Sequence, residues 1–254
     1  MIEPAFHAPR TIKEAALLLS DLENAIVVSG GQWLVPRIRS QEIVPNNIIA
    51  TQHIEELRGI RQNKDRIIIG AAETHNAIAT SVVVKTKIPT LASLSSQIGD
   101  QQVRNRGTFG GALISDPARA DYSLALLGLD GTLKTNRREY QAAEFLKQRH
   151  ADRLRPDEIL MSASFRIPRT GGFEKLAHPA ANYAEAGMFV SWFEDGDARL
   201  IVSGEHQWPI RLEGVDAALT NGQMNDIADL LGAKFSDDPF FASRLTALVR
   251  RLHT

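Results

Sequence analysis

The stretch Gln102-Val103-Arg104-Asn105-Arg106-Gly107-Thr108-Phe109-Gly110-Gly111, followed by the apolar Ala112-Leu113-Ile114, says most about this chain. Glycine turns a backbone without a Cβ clash and lets N–H groups come close to an anion. A second segment of the same kind, Ser29-Gly30-Gly31-Gln32, directly follows the apolar run Ala25-Ile26-Val27-Val28. The two together predict strand-then-Gly-Gly turns that hold the two sides of one pyrophosphate, and hence a dinucleotide cofactor. Either pair alone is weak, because short glycine motifs also make ordinary tight turns. Two in order favour the cofactor.

Composition narrows the function classes. With 254 residues, 43% hydrophobic and 23% charged, the chain can bury a substantial core. A formal net charge of -1 gives no electrostatic case for nucleic acid. The absence of cysteine excludes disulfides, a thiolate nucleophile, Cys-ligated zinc and an iron–sulfur cluster held by this chain. Residues 1–7 lack the basic and apolar regions of a signal peptide, and every apolar run falls far short of the ~20 residues of a membrane span. The expectation is a cytoplasmic protein with no membrane span. The seven histidines show no ligand spacing, so no metal site is expected. No Ser/His/Asp triad, paired catalytic carboxylates or P-loop supports hydrolysis or phosphoryl transfer.

Along the chain, Thr11-Ile12-Lys13-Glu14 has the pattern of a capping box and opens a helix that ends near Asp21. A strand over 25–29, the Gly-Gly turn, a short helix from Trp33 and a strand-like run at 47–49 make a small βαβ unit over about residues 1–55. The β-branched run over 66–72 predicts a buried strand, and Thr74 is placed to cap a helix through Ile78 and Ala79. A helix over 90–98 leads into an Arg-Asn-Arg loop, and 121–129 has helical spacing. A strand over 159–167 follows. Gly171-Gly172 marks a break and a boundary, then come strands over 186–193 and 198–203 joined by the turn 194–197. The tail is helical at 215–219, 224–231 and 240–252.

Val28 to Pro36, Ile69-Gly70-Ala71 with Thr74-His75, and Ile98-Gly99 through Gly111 occur in the same order and at similar spacing in a known family. The chain resembles the flavoprotein subunits of molybdenum hydroxylases, such as the medium subunit of aerobic carbon monoxide dehydrogenase and the flavin domain of xanthine dehydrogenase. The Arg-Asn-x-Gly-Thr-x-Gly-Gly segment is the most specific part, and the likeness runs through the tail from Gly204 to Leu219 and over 240–252. It implies an α+β fold with a two-part PCMH-type FAD-binding region over 1–170. That region is a small βαβ subdomain (1–55) plus a larger mixed sheet with helices (56–170). A C-terminal antiparallel sheet with helices (171–254) follows.

The resemblance also implies the site. Ser29, Gly30, Gly31, Gln32 and Trp33 form the first pyrophosphate loop, and Thr108, Phe109, Gly110, Gly111 and Ala112 the second. Thr74 joins them at its helix start. Asp121 meets ribityl or ribose hydroxyls, and Lys175 and Tyr183 sit where the flavin-facing strand begins. Ala112 stands where the family places Asn or Ser, and Ser115-Asp116-Pro117 is one residue out of phase with the family's His-x-Asp-Pro. The cofactor implied is FAD, with the molybdenum cofactor and iron–sulfur clusters on partner subunits. The assembly implied is a dimer of heterotrimers that passes electrons to an external acceptor. Two alternatives stand beside it: a relative that has lost FAD and serves as an assembly subunit, or a stand-alone flavin reductase. His75 reads as a satisfied histidine on a helix start, and Arg104 and Arg106 as loop-shaping or partner-facing. Trp33 packs on the cofactor or on the core, and Tyr183 stacks near the flavin or covers the sheet.

Overall fold

The computed structural model describes residues 3–115, 121–147, 154–177, 184–204, 208–221 and 223–252. It opens with a parallel unit: β1 (Ala5–His7), α1 (Ile12–Asp21), β2 (Ala25–Val28), α2 (Leu34–Arg39) and β3 (Asn47–Ala50), in strand order β1-β3-β2. Parallel neighbours need crossovers, which α1 and α2 supply. Asn47 of the central β3 is in register with both Ala5 and Ala25. Thr11 Oγ1 accepts the Glu14 N–H at 3.2 Å, as expected of the cap. The Glu14 carboxylate, however, accepts from the Arg10 N–H at 2.9 Å, one residue earlier than a reciprocal capping box requires. β2 stops at Val28, so Ser29 belongs to the turn and not to the strand.

A second sheet joins β4 (Ile60–Asn63) and β5 (Arg66–Gly70) to three later strands. Six helices follow β5: α3 (His75–Thr80), α4 (Val82–Lys87), α5 (Pro89–Ser96), α6 (Gln101–Arg106), α7 (Phe109–Ser115) and α8 (Asp121–Gly128). Then come β6 (Thr132–Thr135), β7 (Glu139–Gln141), α9 (Ala142–Lys147) and β8 (Leu160–Arg166), giving the order β4-β5-β8-β6-β7. Every pairing in this sheet is antiparallel, where the expectation was mixed strand directions. The helical excursion does bring β6 back parallel to β5. The late strand β8 inserts between the two and runs against both.

The third sheet comprises β9 (Thr170–Ala177), β10 (Ala184–Trp192), β11 (Ala198–Gly204) and β12 (Ile210–Arg211), antiparallel in the order β12-β11-β10-β9. The helices α10 (Asp216–Thr220), α11 (Met224–Lys234) and α12 (Pro239–Leu252) follow. Alternation of side chains along a strand gives this sheet two buried faces. Met188, Val190, Leu200 and Val202 pack with Leu231, Leu245 and Leu248 of the tail helices. Phe189 and Ile201 face the other way, into the core shared by the first two sheets. Helix α8 runs through that core with Tyr122, Ser123, Leu124, Ala125 and Leu126 all buried, as suits a helix apolar on every side.

Gly171-Gly172 is not a break. Both residues lie inside β9, opposite Ser191 and Val190. The smallness of Gly171 serves packing, because a Cβ there would lie 2.8 Å from the Val190 carbonyl oxygen and 3.1 Å from Thr90 Oγ1 of α5. Gly171→Val is expected to overpack this seam and lower stability by about 1–3 kcal/mol. Thermal unfolding of the two chains checks it: equal midpoints would mean that the sheet does not press on α5 here.

Candidate functional site

A cleft of about 520 Å³ lies between residues 26–34 of the first unit and helices α6, α7 and α8 of the second. That volume is in the range of small-molecule sites, about 300–1,000 Å³. Its first wall is the turn after β2. Gly31 has φ +72, a left-handed conformation that glycine adopts without strain. Gly30 is needed for a different reason: a Cβ there would lie 2.2 Å from the Arg106 carbonyl oxygen and 2.9 Å from the Thr108 nitrogen. The two glycine segments therefore touch, backbone against backbone, and form a continuous floor. The Val35 N–H donates to the Gly31 carbonyl at 2.9 Å, whereas the N–H groups of Gly30, Gly31, Gln32 and Trp33 donate to no acceptor among the described residues. Ser29 Oγ beside them is buried and has no partner among the described residues. Trp33 sits half-buried at the lip, with the Arg37 guanidinium 3.9 Å from its ring centre.

The second wall is helical. Asp100 Oδ1 accepts the Val103 N–H at 2.8 Å and caps α6, so Arg104-Asn105-Arg106 is helix and not loop. The Arg104 guanidinium donates to the carbonyls of Ile98 (3.1 Å) and Gly99 (2.8 Å), which shapes the turn as expected. Gly110-Gly111 lies in the first turn of α7, not in a turn after a strand. A bridge between Thr74 and Thr108 holds this region to α3, with the Phe109 N–H donating to the Glu73 carbonyl at 2.9 Å. The Gly110 N–H donates to the Ala71 carbonyl at 2.8 Å, so it is not available to an anion. Thr108 Oγ1 accepts the Gly111 N–H at 3.3 Å.

At the inner end stands a buried ion pair. Lys175 Nζ of β9 lies 2.7 Å from Asp121 Oδ2 at the start of α8, with side chains 3% and 5% exposed. Lys175 Nζ also donates to the Gln97 carbonyl at 2.9 Å. Burial pushes the Asp121 carboxyl above the usual carboxylate range, and the Lys175 ammonium opposes that. Asp121 Oδ1 is buried without a partner among the described residues. Behind it His75 Nδ1 is 3.1 Å from the Tyr122 hydroxyl, which donates to Ser95 Oγ at 3.2 Å. Burial, with Arg104 as the lesser cause, pushes the His75 imidazole down to about 4, while burial lifts the Tyr122 phenol well above its ordinary value.

Of the residues singled out in the sequence, Ser29, Gly30, Gly31, Gln32, Trp33, Thr108, Gly111, Ala112 and Asp121 line this cleft. Thr74, Phe109, Gly110 and Lys175 do not. Thr74 Oγ1 caps α3 by accepting the Ala77 N–H at 3.1 Å. Phe109 is fully buried edge-on to Tyr122 and Phe165. Gly110 abuts Ala71, and Lys175 meets the cleft lining at Asp121. Tyr183, Asp116 and Pro117 lie outside the described residues. The lining also includes His75, Tyr122, Ile98 and Val103, none of which was assigned to the site. A histidine next to a capping threonine was the one available signal, and it reads equally well as structure.

Two expectations follow. A Cβ at Gly110 would lie 2.7 Å from Ala71 Cβ and 2.9 Å from its carbonyl oxygen, but at Gly111 it would meet only Thr108 Oγ1. Thermal unfolding should therefore show Gly110→Ala destabilised by about 1–3 kcal/mol and Gly111→Ala much less affected. The folded pKa of His75 lies below its unfolded value of about 6.5, so its contribution to stability is complete above that pH and declines as pH falls toward 4. Denaturant titration over that window should show the wild type losing about 3 kcal/mol more than His75→Gln. Parallel pH profiles would mean that the ring is not held neutral.

Comparison with known proteins identifies the family. Residues 2–170 match the family described as the FAD binding domain in molybdopterin dehydrogenase. The carbon monoxide dehydrogenase medium chain of Hydrogenophaga pseudoflava is 30% identical over 230 residues, covering 84% of this chain and 79% of that one. The glyceraldehyde dehydrogenase medium chain of Sulfolobus acidocaldarius is 26% identical over 240 residues, covering 89% and 85%. A solved structure of the Hydrogenophaga pseudoflava carbon monoxide dehydrogenase, lacking the Mo-pyranopterin moiety of its cofactor, superposes with a TM-score of 0.87 at 25% identity, covering 98% of this chain and 95% of that one. The chain belongs to the FAD-binding subunits of the molybdenum hydroxylases, a family of oxidoreductases.

Proposed function

We propose that the cleft holds one FAD non-covalently and that the chain is the electron-exit subunit of a molybdenum hydroxylase complex. The observation that carries the site assignment is the pairing of two orphans in one cleft: Ser29 Oγ and Asp121 Oδ1, both buried and unpartnered among the described residues. Buried polar atoms are nearly always hydrogen-bonded, and a lone buried acceptor is costly. Asp121 Oδ1 calls for a donor, such as a sugar-alcohol hydroxyl. The unpaired N–H groups from Gly30 to Trp33 call for an anion, such as a pyrophosphate. Together they match the two polar parts of a flavin dinucleotide, so the residues fit the group.

Bound FAD supplies a centre that takes electrons singly and releases them in pairs. The chain's own residues bind and orient it. Ser29 to Trp33 hold the pyrophosphate with Thr108 and Gly111 beside them, and Ala112 adds no side-chain hydrogen bond. Lys175 holds Asp121 in place. No residue is assigned as acid or base. With no cysteine in the chain, the electrons come from an iron–sulfur partner, with the substrate oxidised on a molybdenum subunit and an external acceptor served by this one. The medium-chain names of the relatives support a three-subunit assembly, and we infer a dimer of heterotrimers. No helix among the described residues is long and apolar enough to cross a membrane.

The test is flavin titration with variants that separate binding from folding. FAD at a hundred times its dissociation constant should stabilise the wild type by ~2.7 kcal/mol. Asp121→Ala strands a buried ammonium and should cost about 3–5 kcal/mol of stability. The double variant Asp121→Asn with Lys175→Met should recover stability without recovering FAD affinity. A chain that takes up no flavin would favour the assembly-subunit reading. Reduction of its flavin by a nicotinamide without any partner would favour the reductase.

A further inference from the structure

His75 stands on the first turn of α3, is 3% exposed, and lines the cleft. It begins a chain of hydrogen bonds with one consistent direction. Ser95 Oγ is 2.7 Å from the Leu91 carbonyl, which can only accept, so Ser95 donates there. Ser95 Oγ then offers only lone pairs to Tyr122, 3.2 Å away, and the Tyr122 O–H donates to it. A phenol has one proton, so the Tyr122 oxygen accepts from His75 Nδ1–H at 3.1 Å. Burial and the nearby Arg104 keep the ring neutral. Its single proton is therefore on Nδ1, and Nε2 carries a lone pair. Nε2 has no hydrogen-bond partner among the described residues. Gly107 keeps it uncovered, since a Cβ there would lie 2.8 Å from Nε2.

We propose that His75 Nε2 accepts a hydrogen bond from an O–H or N–H group of the ligand in the cleft, and that Tyr122 and Ser95 are positioning residues that fix its tautomer. The proposal rests on the reading that this ligand is FAD. It makes the site selective: a ligand that turns an acceptor toward His75 meets lone pair against lone pair. Tyr122 and Ser95 act through the ring and not by touching the ligand's reacting part. Ser95 is fully buried on α5 and is not part of the cleft wall.

Ser95→Ala gives the test, because it removes the acceptor that orients the Tyr122 O–H. That proton is then free to turn to His75 Nδ1, and the ring proton moves to Nε2. Nitrogen NMR of the full chain, labelled in histidine, should show Nδ1–H in the wild type and Nε2–H in Ser95→Ala. FAD titration should show affinity about tenfold weaker in the variant, the effect of losing one buried hydrogen bond and facing two donors. Ser96→Ala, at an exposed site on the same helix, should change neither. A wild-type ring protonated on Nε2 would overturn the proposal, as would a tautomer change that leaves FAD affinity intact. Should Ser95→Ala fail to fold, the wild type alone decides: FAD must shift the His75 Nε2 resonance toward its hydrogen-bonded range, and an unmoved resonance contradicts the proposal. A wild type that binds no FAD but keeps Nδ1–H overturns the cofactor assignment while leaving the tautomer established.

Discussion

The buried pair of Lys175 and Asp121 is the constraint on which the site depends. Two charges 2.7 Å apart, each almost sealed from water, are stable only as a pair. One comes from the C-terminal sheet and the other from the first residue of α8, so the pair ties the third sheet to the cleft. It also leaves one carboxylate oxygen, Oδ1, with no partner among the described residues. The lysine thus satisfies half of the aspartate and aims the other half. Helix α8 continues the link: Ser191 Oγ of β10 donates to the Gly128 carbonyl at 2.6 Å, and Phe189 packs where a Cβ on Gly128 would otherwise be.

The opposite wall is built from backbone. Gly30 lies so close to residues 106–108 that only a missing side chain permits the contact. The N–H groups of Gly31, Gln32 and Trp33 beside it donate to no acceptor among the described residues. A cleft results with donors along one wall and an acceptor at its inner end. The cleft needs both walls, since one belongs to the parallel unit and the other to the helices after β5. The cofactor reading and the fold meet at that seam.

Much of this was legible in the sequence. The 25–28 run with its glycine turn, the strand before Gly70, and the helix starting at Asp121 stand where residue patterns placed them. Other readings failed, several for identifiable reasons. Gly171-Gly172 punctuates a sequence but fills a tight sheet–helix contact in space, and one-dimensional pattern does not distinguish the two. Gly110-Gly111 reads as a turn because glycine turns a backbone without a Cβ clash, yet α7 is held there by the bonds of Gly110 to Ala71 and Phe109 to Glu73. The sheet direction was missed because β8 arrives some ninety residues after β5 to pair with it. The roles of His75 and Tyr122 depend on contacts across 47 residues, which no local pattern announces.

Hydrogen exchange on the full chain with and without FAD tests the central claim most directly, because the unpaired amides are its physical core. The account predicts strong added protection at Gly30, Gly31, Gln32 and Trp33 on FAD binding. It predicts little change at Gly110, whose N–H is already bonded to Ala71. FAD binding that leaves the 30–33 amides exchanging as before would place the cofactor elsewhere and contradict the account.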